Sequence, residues 1–158
     1  MQYRTTSLAI AATVLGLIAC GSSAVRPSFK PFPQAPVDTV KANPSAVIQE
    51  LATRVASEGM LVQWSSPAEG YFESQTFNIV TRQSGNVQNA DLENYVVVRF
   101  WADSISSGST KVTGEAIQFR SADPSIFGRD REVAVRPGHP GDVMVRRILQ
   151  GLRERFGK

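Results

Sequence analysis

The sequence predicts one α+β domain, a two-layer sandwich. In it an antiparallel sheet of four to five strands carries an N-terminal and a C-terminal helix on one face. Three observations predict this. Val47, Ile48, Leu51, Ala52 and Val55 recur with helical spacing on one face. Residues 95–102, YVVVRFWA, are almost wholly β-branched or aromatic, a composition that suits a pleated, half-buried surface. Val145, Ile148, Leu149, Leu152 and Phe156 then make a second helical stripe. Both stripes can bury against one sheet face. A chain of 158 residues, 42% hydrophobic and 20% charged, suits a single globular domain.

The folded unit is expected over residues 43–158. Asn43-Pro44 reads as an N-cap followed by proline at the first helical position, and Gly59 as the stop. Residues 60–64 are apolar and precede the turn-rich 65–70. Residues 71–82 resume a strand, and residues 83–94 form a polar loop before the 95–102 strand. Residues 104–109 can turn that strand into an antiparallel partner over 110–120, where Gly114 suggests a bulge. Residues 131–136 make a weaker fifth strand. The break at 137–142 offers Asp142 as N-cap of the second helix.

The N-terminus has a different character. Arg4 is the one charge in residues 1–6, and residues 8–19, LAIAATVLGLIA, carry none. A basic start and a short apolar run read as a secretory signal. The run is too short to cross a bilayer, which takes about 20 apolar residues. It ends Leu17-Ile18-Ala19-Cys20, and Cys20 is the single cysteine. This resembles the lipobox of bacterial lipoproteins: an aliphatic residue three before the cysteine, a small one just before it, and the cysteine itself. The resemblance covers only the first 20 residues. It implies removal of residues 1–19, a diacylglycerol on the Cys20 sulfur and acylation of the new amino group. The partner so implied is the membrane, held by acyl chains at about 0.8 kcal/mol per buried CH₂. Gly21 stands where lipoproteins retained at the inner membrane carry Asp, so the resemblance favours the outer membrane, periplasmic face.

Residues 20–42 hold four of the nine prolines, Pro27, Pro31, Pro33 and Pro36. Such spacing favours a semi-rigid, polyproline-like tether. At about 3.1 Å per residue it would hold the domain up to about 60 Å from the bilayer. Phe29 and Phe32 within it offer two alternatives to a plain spacer, docking on the domain or reaching the headgroups.

Chemistry-bearing residues are few. His139 is the single histidine and sits just before a helix. One histidine and one cysteine leave no zinc-binding set and no disulfide framework, so no metal site and no cofactor is expected. No serine lies in a nucleophile-elbow or S-x-x-K pattern, and no phosphate-binding loop is present. Glu69, Glu73, Asp91, Glu93, Asp103 and Glu115 are scattered and read as solvated charges, which disfavours an enzyme built on paired carboxylates.

The net charge of +3 falls short of a nucleic-acid binder's basic stripe. Residues 120–158 carry nine Lys/Arg against five Asp/Glu, a net of +4. Arg146, Arg147, Arg153 and Arg155 lie off the apolar helical stripe and offer a basic face for anionic lipid or an acidic partner. Strand alternation puts Arg99 and Trp101 opposite Val96, Val98 and Phe100. If the valines face the helices, Arg99 and Trp101 make an outward surface, unless a loop such as 83–94 covers them.

The reading that follows is a lipid-anchored envelope protein with an interaction or assembly role toward an envelope protein or polymer. The alternatives are a module binding a lipid or other amphiphile and, third, a hydrolase using paired carboxylates. An interaction protein should show an exposed apolar patch. An amphiphile binder should show an apolar pocket of about 300–1,000 Å³. An enzyme should show converging carboxylates with perturbed pKa values.

Overall fold

The computed structural model describes residues 26–85, 91–121, 123, 125–126 and 128–157. Cys20 and the Leu17, Ile18 and Ala19 of the lipobox lie outside the described residues. The elements run β1 (Val37–Val40), α1 (Pro44–Ser57), β2 (Val62–Ser66), β3 (Tyr71–Ser74), β4 (Phe77–Asn78), β5 (Gln83–Ser84), β6 (Tyr95–Ser106), β7 (Ser109–Phe119), β8 (Glu132–Ala134) and α2 (Pro140–Phe156). Short 3-10 turns, Leu92–Asn94 and Gly128–Arg131, precede β6 and β8.

The class is α+β as expected, but the antiparallel sheet has eight strands rather than four or five. The reason is strand length. β6 has 12 residues and β7 has 11, so each serves two short neighbours at different heights. β3 pairs with β6 over Glu73↔Arg99 to Tyr71↔Trp101, and β4 with the start of β6 at Phe77↔Val96. The expected 71–82 strand is therefore two strands, broken at Gln75-Thr76. On the far side of β7, β1 and β8 divide the strand in the same way. The main order is β1-β7-β6-β3-β2.

β1 is a second correction. Val37–Val40 lies in the proline-rich stretch read as tether, yet it pairs with Thr110–Thr113 of β7. Its Val40 is fully buried. The fold therefore starts before residue 43.

Both helices bury their stripes on one sheet face. Val47, Ile48, Leu51 and Val55 of α1, and Val145, Ile148, Leu149 and Leu152 of α2, meet Phe72, Val98, Phe100, Val112 and Ala116. The Asn43 Oδ1 accepts from the Ala46 N–H at 2.8 Å, the expected cap. For α2 the expected cap, Asp142, is displaced by His139, whose Nδ1 accepts from the Gly141 N–H at 3.1 Å. Pro140 takes the first helical position, which moves the start of the helix back by three residues. Asp142 instead accepts from the Gly138 N–H at 2.9 Å and pairs with Arg146. Gly114 makes no bulge, since it stays in register with Phe100. A Cβ there would lie 2.6 Å from the Phe100 ring and 2.7 Å from Val145, so glycine is needed for space.

Candidate functional site

The outer face of the sheet is built by register. One row across the strands reads Trp64, Glu73, Arg99, Glu115, and the next Ser66, Tyr71, Trp101, Thr113, Val37. Alternation on β6 sends Val96, Val98 and Phe100 to the helices and Arg99 and Trp101 to this face, as the sequence requires. The face is nevertheless closed. Arg99 is 6% exposed and Trp101 1%, which corrects the expectation that they form an outward surface.

The cover is the proline-rich segment itself, residues 26–36. Phe29 sets its ring edge-on to Trp101 at 6.2 Å. It also lies 5.1 Å from the Arg99 guanidinium and 4.7 Å from that of Arg129. Phe32 stacks on Arg129 at 3.8 Å, and its N–H donates to Glu115 Oε2 at 2.9 Å. Arg129 donates to the Lys30 carbonyl at 2.9 Å. At its start, Arg26 pairs with Asp103 at 2.7 Å. This segment packs as a strap, and of the readings weighed for Phe29 and Phe32, docking on the domain is the one observed.

Beneath the strap lies a charge cluster. Arg99 donates to both Glu132 oxygens at 2.7 and 2.8 Å and to Glu73 at 2.9 Å. Arg129 donates to Glu115 at 2.6 and 3.0 Å and to Glu132 at 3.2 Å. The Tyr71 hydroxyl donates to Glu73. Burial works against the Arg99 charge, but the Glu132 hydrogen bonds and the charges of Glu73 and Glu132 outweigh it. Its guanidinium is held more firmly protonated than usual. Burial pushes the Glu132 carboxyl up, but the hydrogen bonds from Arg99 win and hold it below the usual carboxylate range. Burial and the neighbouring Glu73 drive the Tyr71 phenol well above its ordinary value, so it keeps its proton.

Three carboxylates therefore converge, as an enzyme would require, but two arginines occupy the space between them. Each carboxylate accepts from an arginine, which favours fixed charges over proton transfer. Two buried polar groups, Glu115 at 2% and Glu132 at 6% exposed, belong to this cluster. The sequence suggests a solvated Glu115 and gives no sign of Glu132 or Arg129, whereas docking of Phe29 and Phe32 is among its alternatives. The available signal was Glu115 itself, a charge inside the apolar run of β7.

The basic face on α2 is also changed by its surroundings. Arg146 pairs with Asp142 at 3.0 Å, Arg147 with Glu58 at 3.1 Å and Arg153 with Asp38 at 3.4 Å. Arg155 is exposed at the helix end. Three of the four arginines are thus paired with carboxylates of the fold, with their side chains still exposed. Among the described residues, a cavity of about 20 Å³ beside Phe32 has room for about one water. A wide groove of about 670 Å³ is lined by Glu93, Gln118, Arg136 and His139, with Ile79, Val133 and Ala134. It is open and as polar as apolar, unlike an enclosed amphiphile pocket.

Exposed apolar side chains gather at β2. Leu61, Val62 and Trp64 are 56%, 38% and 43% exposed. β2 is a terminal strand of the sheet, paired with β3 alone. Among the described residues no helix is long and apolar enough to cross a membrane. The chain matches no protein-family model, and no curated protein matches it.

Proposed function

We propose that this chain is a lipid-anchored protein of the bacterial envelope, acylated on Cys20, with a non-enzymatic interaction or assembly role at the periplasmic face, outer membrane favoured. The observation that carries the interaction reading is β2, an edge strand with Val62 and Trp64 exposed and the exposed Leu61 just before it, next to an otherwise closed core. The charge cluster supports a non-enzymatic reading, since each of its three carboxylates is paired with an arginine.

The strap changes what the anchor does. Arg26 is docked six residues after Cys20, at most about 20 Å of chain. An acylated Cys20 would hold the domain close to the bilayer, with Arg26, Asp103 and the β6–β7 hairpin nearest to it, instead of at the end of a long tether.

Intact mass of the protein extracted from native membranes, before and after Cys20→Ser, tests the anchor. A chain starting at Cys20 with the added mass of a diacylglyceryl group is expected, lost in the variant. An unmodified chain that retains Met1 overturns the anchor and the localisation together.

A further inference from the structure

We infer that the tip of the β6–β7 hairpin, residues 104–109, docks on the lipid bilayer, with Ile105 entering the headgroup layer and Lys41 and Lys111 at lipid phosphates. This rests on reading Cys20 as the anchor and goes further by naming the surface that meets the membrane.

The hairpin outruns its neighbours. β3 leaves β6 at Tyr71↔Trp101, whereas the β6–β7 ladder continues to Ser106↔Ser109. On the other side β1 stops at Val40↔Thr110. The tip beyond them, SISSGS, carries no charge. Residues 104–108 are all exposed, and the Ile105 side chain is the apolar one among them, 55% exposed. Bringing such a tip into a headgroup layer costs little, since no charge is desolvated with the isoleucine.

Chain length selects the membrane as occupant. Arg26 is clamped at this end of the sheet, where it meets Asp103 at 2.7 Å and donates to the Glu69 carbonyl at 3.3 Å. Six residues separate it from Cys20, at most about 20 Å of chain. The 12 residues of β6 span about 40 Å. The far end of the sheet, where the exposed Val80 follows β4, therefore stands away from the bilayer when the hairpin points towards it. The apolar side chains of β2 lie level with Arg99 and further from the tip, which leaves them free for a protein partner.

Charge fits the same surface. Asp103 is countered from two sides, by Arg26 at 2.7 Å and by Lys111 at 4.0 Å. Lys41 and Lys111 are exposed. The exposed acid of this end is Glu69, set back from the tip in the turn whose Gly70 carbonyl accepts from the Ala102 N–H at 2.8 Å. Three cations, Arg26, Lys41 and Lys111, against two acids, Asp103 and Glu69, leave this end with a net charge of +1. An anionic headgroup layer attracts such a surface.

The test uses the acylated full chain in vesicles of phosphatidylcholine and phosphatidylglycerol. With the single cysteine, Cys20, held in a thioether, the thiol introduced by Ile105→Cys or Val80→Cys is the one that takes an environment-sensitive fluorophore. The label at 105 should shift to the emission of an apolar layer. Nitroxide-bearing lipid should quench it at least about threefold more than the label at 80. Vesicle-bound protein with both labels in water overturns the docking and leaves the Cys20 anchor standing. Equal quenching at the two sites also overturns it, because the domain then has no preferred end towards the lipid. A parent chain that takes the label on Cys20 and does not float with the vesicles overturns the anchor, and the docking with it.

Discussion

The two faces of one sheet are buried by different physics. On the inner face, Val96, Val98, Phe100 and Ala102 meet two helices in one apolar cluster. Such burial is non-directional, contributes roughly 25 cal/mol per Å² and tolerates modest repacking. On the outer face the alternate residues of the same strand, Arg99 and Trp101, are buried as deeply under a strap without regular structure. There, stability depends on every charge keeping its partner, since desolvating two arginines and three carboxylates is costly. The fit is also less complete. The buried Trp101 indole N–H has no hydrogen-bond partner, a deficit worth about 1–3 kcal/mol. One face is a core. The other is a covered surface.

The largest expected effects break each face in its own way. Phe100→Ala should cost about 3–5 kcal/mol by opening a cavity. Arg99→Ala should cost about as much by leaving the buried Glu132 without its main partner and Glu73 unpaired. Urea melts check both, and the distinction appears on rescue. Arg99→Met combined with Glu132→Leu should recover much of the loss, since apolar groups of similar size can replace a buried ion pair. If the double variant is no better than Arg99→Ala, pairing is not what the outer face lacks.

Gly114→Ala comes next, at about 1–3 kcal/mol, because its Cβ would overlap Phe100 and Val145 on the inner face. It should leave proteolysis within residues 26–36 unchanged. Phe29→Ala should do the reverse: a loss of about 1 kcal/mol, with cleavage in the strap many times faster.

The pH response is the smallest effect. Glu132 and Asp142 are held below the usual carboxylate range, and burial holds His139 below its ordinary 6.5. All three favour the deprotonated form in the fold, so each contributes stability above its unfolded pKa that is lost as pH falls. His139 acts first, below about 6.5, where protonation of Nδ1 ends its cap on Gly141. Glu132 follows as pH falls below its ordinary 4.5, and Asp142 below its ordinary 3.8. Thermal melts from pH 8 to about 2 should fall in two stages, and His139→Asn should remove the first.

How legible the molecule was in its sequence follows the same division. The inner face depends on periodicity alone, so both helical stripes and β6 stood out. The outer face depends on register, which sequence does not reveal. Arg99 meets Glu73 and Glu115 only because three strands align, and Glu132 joins from a distant fourth. Proline density in residues 26–36 suggests a spacer, but Phe29 and Phe32 among those prolines dock on the face they cover, with a turn from Phe32 to Ala35. The α2 arginines were correctly read as off the core stripe. Their partners, Asp38 and Glu58, come from elements whose packing no local pattern announces.

The most direct test of a core face and a covered face is amide hydrogen exchange at one site in the strap and one in the sheet. The Phe32 N–H is bound to Glu115 and the Val98 N–H to Ser74 Oγ. Phe32 should be protected relative to a free peptide yet exchange far faster than Val98, by local release of the strap. An unprotected Phe32 would return residues 26–36 to the status of a free tether. Equal protection at both sites would make the strap part of the core, and the division into two faces would fail.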